Sequence, residues 1–167
     1  MSHCFRIAIC IALIFPSMTL VTSQTKTVSK KVTSEIFQQL IKDCRAAAPN
    51  PASWDETPID KPASEYIEVR TVPLSPGKTN YLITGKEVPF YGAHAEMYWI
   101  YEKTASGYRQ VDELGANYSV RVLQTSHNGY RDLTTTYVAG AGTVLDSCKL
   151  KFNGHKYVSA GCTSKRL

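Results

Sequence analysis

The sequence lacks most of the motifs by which enzymes and metalloproteins are recognised. It contains no C-x-x-C pair and no histidines at zinc-ligand spacing, which argues against a zinc site. It also has no G-x-S-x-G or comparable frame around a serine, so its local sequence places no nucleophile for catalysis. We therefore expect no metal, no cofactor and no enzymatic activity.

Two short matches to known sites are incomplete. His94 and Glu96 fit the H-x-E of zinc deaminases, but the P-C-x-x-C that completes that site is absent. The turn at Asn128 and Gly129 is followed by one carboxylate, Asp132, whereas a calcium loop needs several. The simpler interpretation is that His94 and Glu96 share one side of a strand edge or loop, and that Asp132 follows an ordinary turn.

No apolar run in the sequence is long, and the longest of the short runs lies near the N-terminus. Residues 7–15 are apolar, follow the single charge of Arg6 and are interrupted soon afterwards by Pro16. The run is shorter than the roughly 20 residues of a membrane span and is typical of a secretion signal. We expect removal of residues 1–23, which leaves a secreted or periplasmic chain without a membrane span. An uncleaved anchor is the alternative.

Basic residues outnumber acidic residues only slightly. The chain has 19 Lys and Arg against 14 Asp and Glu, and residues 1–23 hold one of the basic residues, which leaves +4 after cleavage. The basic residues are scattered along the sequence, whereas nucleic-acid binders cluster them on one face. We therefore predict no nucleic-acid partner.

Cysteine is scarce, and three cysteines remain after residue 23: Cys44, Cys148 and Cys162. In an oxidising compartment an odd number predicts one disulfide and one free thiol. We favour a bond between Cys148 and Cys162, because it closes a short loop around a predicted hairpin. Cys44 as the partner of either one remains the alternative.

The apolar periodicity predicts an α+β fold in one domain, residues 33–167. Residues 24–32 are polar and predict a flexible leader. Residues 33–47 have apolar side chains at helical spacing, and residues 48–63 form a connector with four prolines. From residue 64 to 162 the period is two, which predicts a mainly antiparallel β-meander. We expect one N-terminal amphipathic helix packed on a single sheet of seven or eight strands.

Turn residues predict where the hairpins lie. A turn at residues 104–107 follows a run, residues 97–101, that is apolar on both faces and predicts a central strand with Trp99 in the core. The turn at residues 127–129 separates a second pair of strands, and Asn153 with Gly154 is the strongest hairpin signal in the chain.

Four short segments of the C-terminal half combine turn and strand residues in one arrangement. They are W-I-Y-E-K-T from residue 99, G-Y-R from 107, N-G-Y-R-D-L from 128, and F-N-G from 152 with Tyr157. In this arrangement the chain resembles a group of small exported bacterial proteins that have no assigned activity. The resemblance covers about the last 70 residues. It implies a β-rich exported domain and supplies no functional site.

Tyrosine is abundant, with 10 residues, and tyrosine is favoured at recognition surfaces. We predict an exported noncatalytic binding protein, such as an inhibitor or immunity factor against a secreted enzyme, whose partner is another protein or an envelope component. Tyr91 and Tyr130, beside turn glycines, are expected at the surface. The predicted binding residues are Tyr91, His94, Glu96, Arg109, Tyr130 and Arg131.

Two other functions remain open. The first is an exported hydrolase whose site assembles only in three dimensions, with His94, Glu96, His127 and Asp132 as its first candidate residues. It requires two histidines and an acid to meet in a cleft. The second is a structural envelope component, which would form a stable oligomer.

Overall fold

The computed structural model describes residues 28–49, 58–91, 95–139 and 142–167. The predicted signal, residues 24–27 of the leader, half of the connector and His94 lie outside the described residues. The described elements are, in order, α1 Lys30–Ala47, α2 Ala63–Tyr66, β1 Ile67–Val72, β2 Asn80–Gly85, β3 Glu96–Thr104, β4 Gly107–Asn117, β5 Ser119–His127, β6 Tyr130–Ala139, β7 Val144–Phe152 and β8 Tyr157–Arg166.

Helix α1 starts before the position expected from the apolar spacing. The Ser29 side chain caps it by accepting a hydrogen bond from the Val32 backbone N–H at 3.4 Å. Its first turn therefore includes residues that the sequence analysis assigned to the leader. The helix ends at Ala47, two residues before Pro49. In the described ranges, no helix combines the length and the hydropathy that crossing a bilayer requires.

The strands form two antiparallel sheets, so the prediction of a single sheet was wrong. Sheet A has the order β1-β2-β3-β4, and sheet B has the order β5-β6-β7-β8. Each is a meander, because neighbouring strands are consecutive in sequence. The broader prediction of a helix combined with antiparallel β-structure is confirmed.

A bend at the end of β4 separates the two sheets. Gly115 adopts a φ of +71°, and the strand register shifts at this point between Tyr98 and Trp99 of β3. The side-chain amide of the buried Asn117 donates to the Leu114 carbonyl at 2.9 Å. The chain then enters sheet B after a single residue. The register shift adds an extra residue to β4 at the bend, so Val111 and Leu114, three residues apart, both pack between the sheets.

Sheet A is covered on both faces, so the core has two halves. The half under helix α1 contains Ile36, Phe37, Leu40, Ile83, Phe90 and Trp99. The half between the sheets contains Leu82, Tyr98, Ile100, Leu133, Phe152 and Tyr157. Strand β3 therefore contributes to both halves, as its two-sided apolar run predicted, and the prediction that Trp99 lies in the core is confirmed.

The predicted hairpins and the predicted disulfide are present. Strands β3 and β4, β5 and β6, and β7 and β8 pair across the three predicted turns. Cys148 and Cys162, directly opposite each other in β7 and β8, are disulfide-bonded, and Cys44 is free. Burial, reinforced by the Glu113 and Asp43 carboxylates, raises the pKa of the Cys44 thiol to about 12. The thiol is therefore protonated at neutral pH, which makes it a poor nucleophile.

Candidate functional site

The best-organised group of charged side chains surrounds Glu102, near the end of β3. Glu102 is only 6% exposed. The Lys78 Nζ lies 3.1 Å from its Oε2, and the Arg109 Nη2 lies 3.4 Å from its Oε1. The Tyr130 hydroxyl also donates a hydrogen bond to Oε2. We name these four residues the Glu102 cluster.

The strand register explains how the cluster forms. Arg109 lies directly opposite Glu102 in the β3–β4 hairpin. Lys78 lies in the turn that leads into β2, and this turn is held to β3 by a hydrogen bond from the Lys103 N–H to the Thr79 carbonyl at 2.9 Å. Tyr130 begins β6, so it approaches from sheet B. The cluster therefore joins the two sheets at one end of the fold.

The hydrogen bonds of the cluster decide its charge state. Burial alone would raise the pKa of Glu102, but hydrogen bonds from Tyr130, Lys78 and Arg109 lower it below its ordinary value. The hydrogen bond to Glu102 raises the pKa of Lys78, and burial followed by the bond to Glu102 raises the pKa of Tyr130. At neutral pH one carboxylate thus faces two cations and a neutral phenol, which leaves a net charge of +1.

A second buried carboxylate, Asp132, lies on the β5–β6 hairpin, which also carries Tyr130, and has no exposed surface. It accepts a hydrogen bond from Thr125 Oγ1 at 2.5 Å, lies 2.6 Å from His127 Nδ1 and is 3.4 Å from Lys149 Nζ. A register shift between Val122 and Ser126 marks a bulge in the segment of β5 that carries Thr125. Burial would raise the pKa of Asp132, but these three partners lower it.

His127 and Asp132 are thus brought together, as the hydrolase alternative requires of them. Among the described residues, no second histidine lies beside the His127–Asp132 pair. The one side-chain hydrogen bond of His127 among these residues is to Asp132. The described ranges also contain no group of three or more His, Cys, Asp or Glu side chains placed to hold a metal ion. The arrangement orients one imidazole through the buried Asp132 carboxylate.

The predicted binding residues separate into two regions. Arg109 and Tyr130 meet at Glu102, and Arg131 follows Tyr130 in the chain. Tyr91 is 44% exposed and forms an isolated bridge with Glu96, whose carboxylate accepts a hydrogen bond from the Tyr98 hydroxyl at 2.5 Å. Glu96 and Glu102 are six residues apart on one strand, or about 20 Å. These residues therefore do not form a single site.

The prediction that Tyr130 is a surface residue was wrong. It is 5% exposed, because its ring packs on Phe152 with centroids 4.3 Å apart and its hydroxyl is bound to Glu102. Tyr130 contacts the exposed cations of the cluster from the buried side, through its hydrogen bond to Glu102. Its contact surface is therefore available to a partner only in small part.

Comparison with known proteins adds no assignment. The chain matches no protein-family model, no curated protein and no solved structure. No residue can therefore be given a role by analogy with a relative, and the Glu102 cluster is judged on its geometry.

Two members of the cluster were missed by the sequence analysis. Glu102 continues a strand that is apolar on both faces, and a carboxylate in such a position predicts a cationic partner. Lys78 lies in a polar turn and carries no comparable signal. Its place beside Glu102 depends on the pairing of β2 with β3, which is not a local property of the sequence.

At pH 7 we expect Glu102→Gln to lower the melting temperature. On acidification the melting temperature of the variant should fall less than that of the unsubstituted protein. Because the folded-state pKa of Glu102 is depressed, its stabilising contribution is complete above the unfolded value of about 4.3 and is lost as the pH falls below it. The difference in melting temperature between the two proteins should therefore shrink between about pH 5 and pH 2. Glu65→Gln, at an exposed helix position, is the control. A constant difference across this range would contradict the assignment.

Proposed function

We propose that the chain is an exported noncatalytic binding protein whose Glu102 cluster docks on an acidic protein surface. One observation carries the proposal: Lys78 and Arg109 are both fixed on one buried carboxylate, while 45% and 58% of their side chains remain exposed. The Glu102 carboxylate therefore fixes the positions of two cations that remain accessible to a partner.

Anchoring reduces the entropy cost of binding. Long basic side chains on a surface normally lose rotamer freedom when a partner immobilises them, at roughly 0.5–1.5 kcal/mol each. In the Glu102 cluster part of this cost has already been met on folding. A lysine has three N–H donors and an arginine five, so donors remain for a second carboxylate. The net charge of the cluster favours a partner that is acidic at the contact.

Secreted glycoside hydrolases have suitable surfaces, because most of them carry a pair of carboxylates in the cleft. A protein that presents fixed cations to such a cleft would act as an inhibitor. Complementary charge speeds association and selects the partner. This is the form of the proposal that we favour over an envelope component as partner.

The test is inhibition of a panel of secreted glycoside hydrolases by the purified chain, followed by kinetics of binding to any enzyme that is inhibited. We expect the double variant Lys78→Ala, Arg109→Ala to bind at least tenfold more weakly, with most of the change in the association rate at low salt. The matched control is Lys31→Ala, Lys42→Ala, which removes two exposed cations from helix α1. Circular dichroism of both variants checks that they fold.

Two results would overturn the proposal. One is equal weakening in the two double variants, which would show that net charge alone matters. The other is the absence of any inhibited enzyme together with turnover of a substrate panel by the chain itself. If that turnover were lost in His127→Ala, the protein would be a hydrolase that uses the His127–Asp132 pair.

A further inference from the structure

The outer face of sheet B gathers basic residues that are far apart in sequence. Arg121, Thr134 and Lys149 lie directly opposite one another in three neighbouring strands and therefore share a face. Leu145 lies opposite Lys165, and strand alternation puts Leu145 and Lys151 on the same face as Lys149. We name this surface the basic face; its cations are Arg121, Lys149, Lys151 and Lys165.

The basic face points away from the core. The residues that alternate with it, including Leu133, Leu150 and Phe152, pack between the two sheets. Arg121 and Lys165 are exposed, and Lys149 and Lys151 are half-buried. Sheet B thus has an apolar side that contacts sheet A and a polar side that does not.

One acidic side chain, the buried Asp132, pairs with Lys149 of this surface, whereas the described residues form no ion pair with Arg121, Lys151 or Lys165. Strands β5 to β8 contain two acidic residues, Asp132 and Asp146. Asp146 lies opposite Tyr137 on the other face and is hydrogen-bonded to it. Asp132 is fully buried beneath His127 and Lys149. The described residues of the four strands therefore place no exposed carboxylate among the four cations. The basic residues appear scattered only in the linear sequence.

Hydroxyl groups form a second row on the same face. Ser119, Thr136, Ser147 and Thr163 lie directly opposite one another across all four strands. No aromatic residue belongs to the face as the register defines it, and its apolar members are Val138, Leu145 and Val158. Binding of single-stranded nucleic acid relies on aromatic stacking, and a membrane-surface element relies on large apolar side chains. The basic face has neither feature.

We propose that the basic face binds an anionic polysaccharide that carries carboxylate or sulfate groups. Neighbouring cations are about 7 Å apart along β7 and about 10 Å apart across two strands, which suits a polymer with regularly repeated charges. The cations would pair with the acidic groups, and the serine and threonine hydroxyls would exchange hydrogen bonds with sugar hydroxyls. A flat strand surface can contact several sugar units at once. This site is separate from the Glu102 cluster and does not depend on its proposed function.

The test measures binding of the purified chain to alginate and to heparin over a range of salt concentrations, with neutral dextran as the uncharged reference. We expect both anionic polymers to bind and dextran not to bind. Lys149→Gln, Lys151→Gln should weaken binding at least tenfold and flatten the dependence on salt, because fewer counterions are released. The control Lys31→Gln, Lys42→Gln changes the net charge equally on helix α1 and should weaken binding less than twofold.

Three results would overturn the proposal: no binding to either polymer, equal weakening in the two double variants, or tighter binding to single-stranded DNA or to phosphatidylglycerol vesicles than to both polysaccharides. Lys78→Ala, Arg109→Ala should leave polysaccharide binding intact. The proposal for the basic face and the proposal for the Glu102 cluster can therefore be contradicted independently of each other.

Discussion

Gly85→Ala is expected to lower the free energy of unfolding by about 3 kcal/mol and the melting temperature by about 10 °C. Gly85 ends β2, and a Cβ atom added to it would lie 1.6 Å from the Phe90 carbonyl oxygen. That distance is far below any van der Waals contact, so the backbone at Phe90 would have to move. Overpacking of this kind costs about 1–3 kcal/mol, and sometimes more.

Phe90 has little room to retreat because it belongs to the aromatic group under helix α1. Its ring centroid lies 5.3 Å from that of Phe37 and 6.2 Å from those of Tyr66 and Trp99, and the residue is 1% exposed. Displacing its backbone would open these contacts as well as the turn after β2. The expected cost is therefore at the upper end of the range.

Urea denaturation of the purified variant, followed by circular dichroism, measures this effect. Gly77→Ala is the matched control, because Gly77 has a φ of +72° and open space around its Cβ position. It should cost about 1–2 kcal/mol through backbone conformation alone. If Gly85→Ala proved no more destabilising than Gly77→Ala, the close approach of Phe90 would not constrain β2.

Features of the fold with a local cause could be predicted from the sequence. The apolar face of α1 follows from side-chain spacing, and the hairpins follow from glycine and asparagine at the turns. The burial of Trp99 follows from a strand that is apolar on both faces. The division into two sheets could not be predicted, because the bend depends on the φ of Gly115 and on the register between β3 and β4, neither of which apolar periodicity indicates.

Features of the candidate sites depend on contacts between distant segments. Arg109, predicted as a binding residue, lies beside Glu102 and Lys78, which join it through pairing with β3. Tyr130 is buried because sheet B packs on sheet A at that point, and no property of the turn beside it indicates this. The basic face likewise exists only once the register of β5 to β8 is known.

Replacing both Cys148 and Cys162 by serine is expected to release the outer half of β8. From Ser159 onward every residue of this strand is exposed, so little apolar burial holds it in place. Its ties to β7 are the backbone ladder, the disulfide and side-chain bonds such as Ser164 Oγ to Asp146 at 2.5 Å. A cross-link that closes a loop of this size contributes about 3 kcal/mol.

Hydrogen exchange of the backbone amides measures the release of β8. We expect residues 162–166 to exchange up to about 100-fold faster in the double variant, while β2 and β3 keep their protection. Cys44→Ser is the control, because it removes the free thiol and leaves the disulfide. Unchanged exchange in β8 would show that the ladder alone holds the strand. Since Lys165 lies beyond Cys162, release of β8 should also separate this cation from Lys149 and Lys151, so the same variant should bind alginate more weakly.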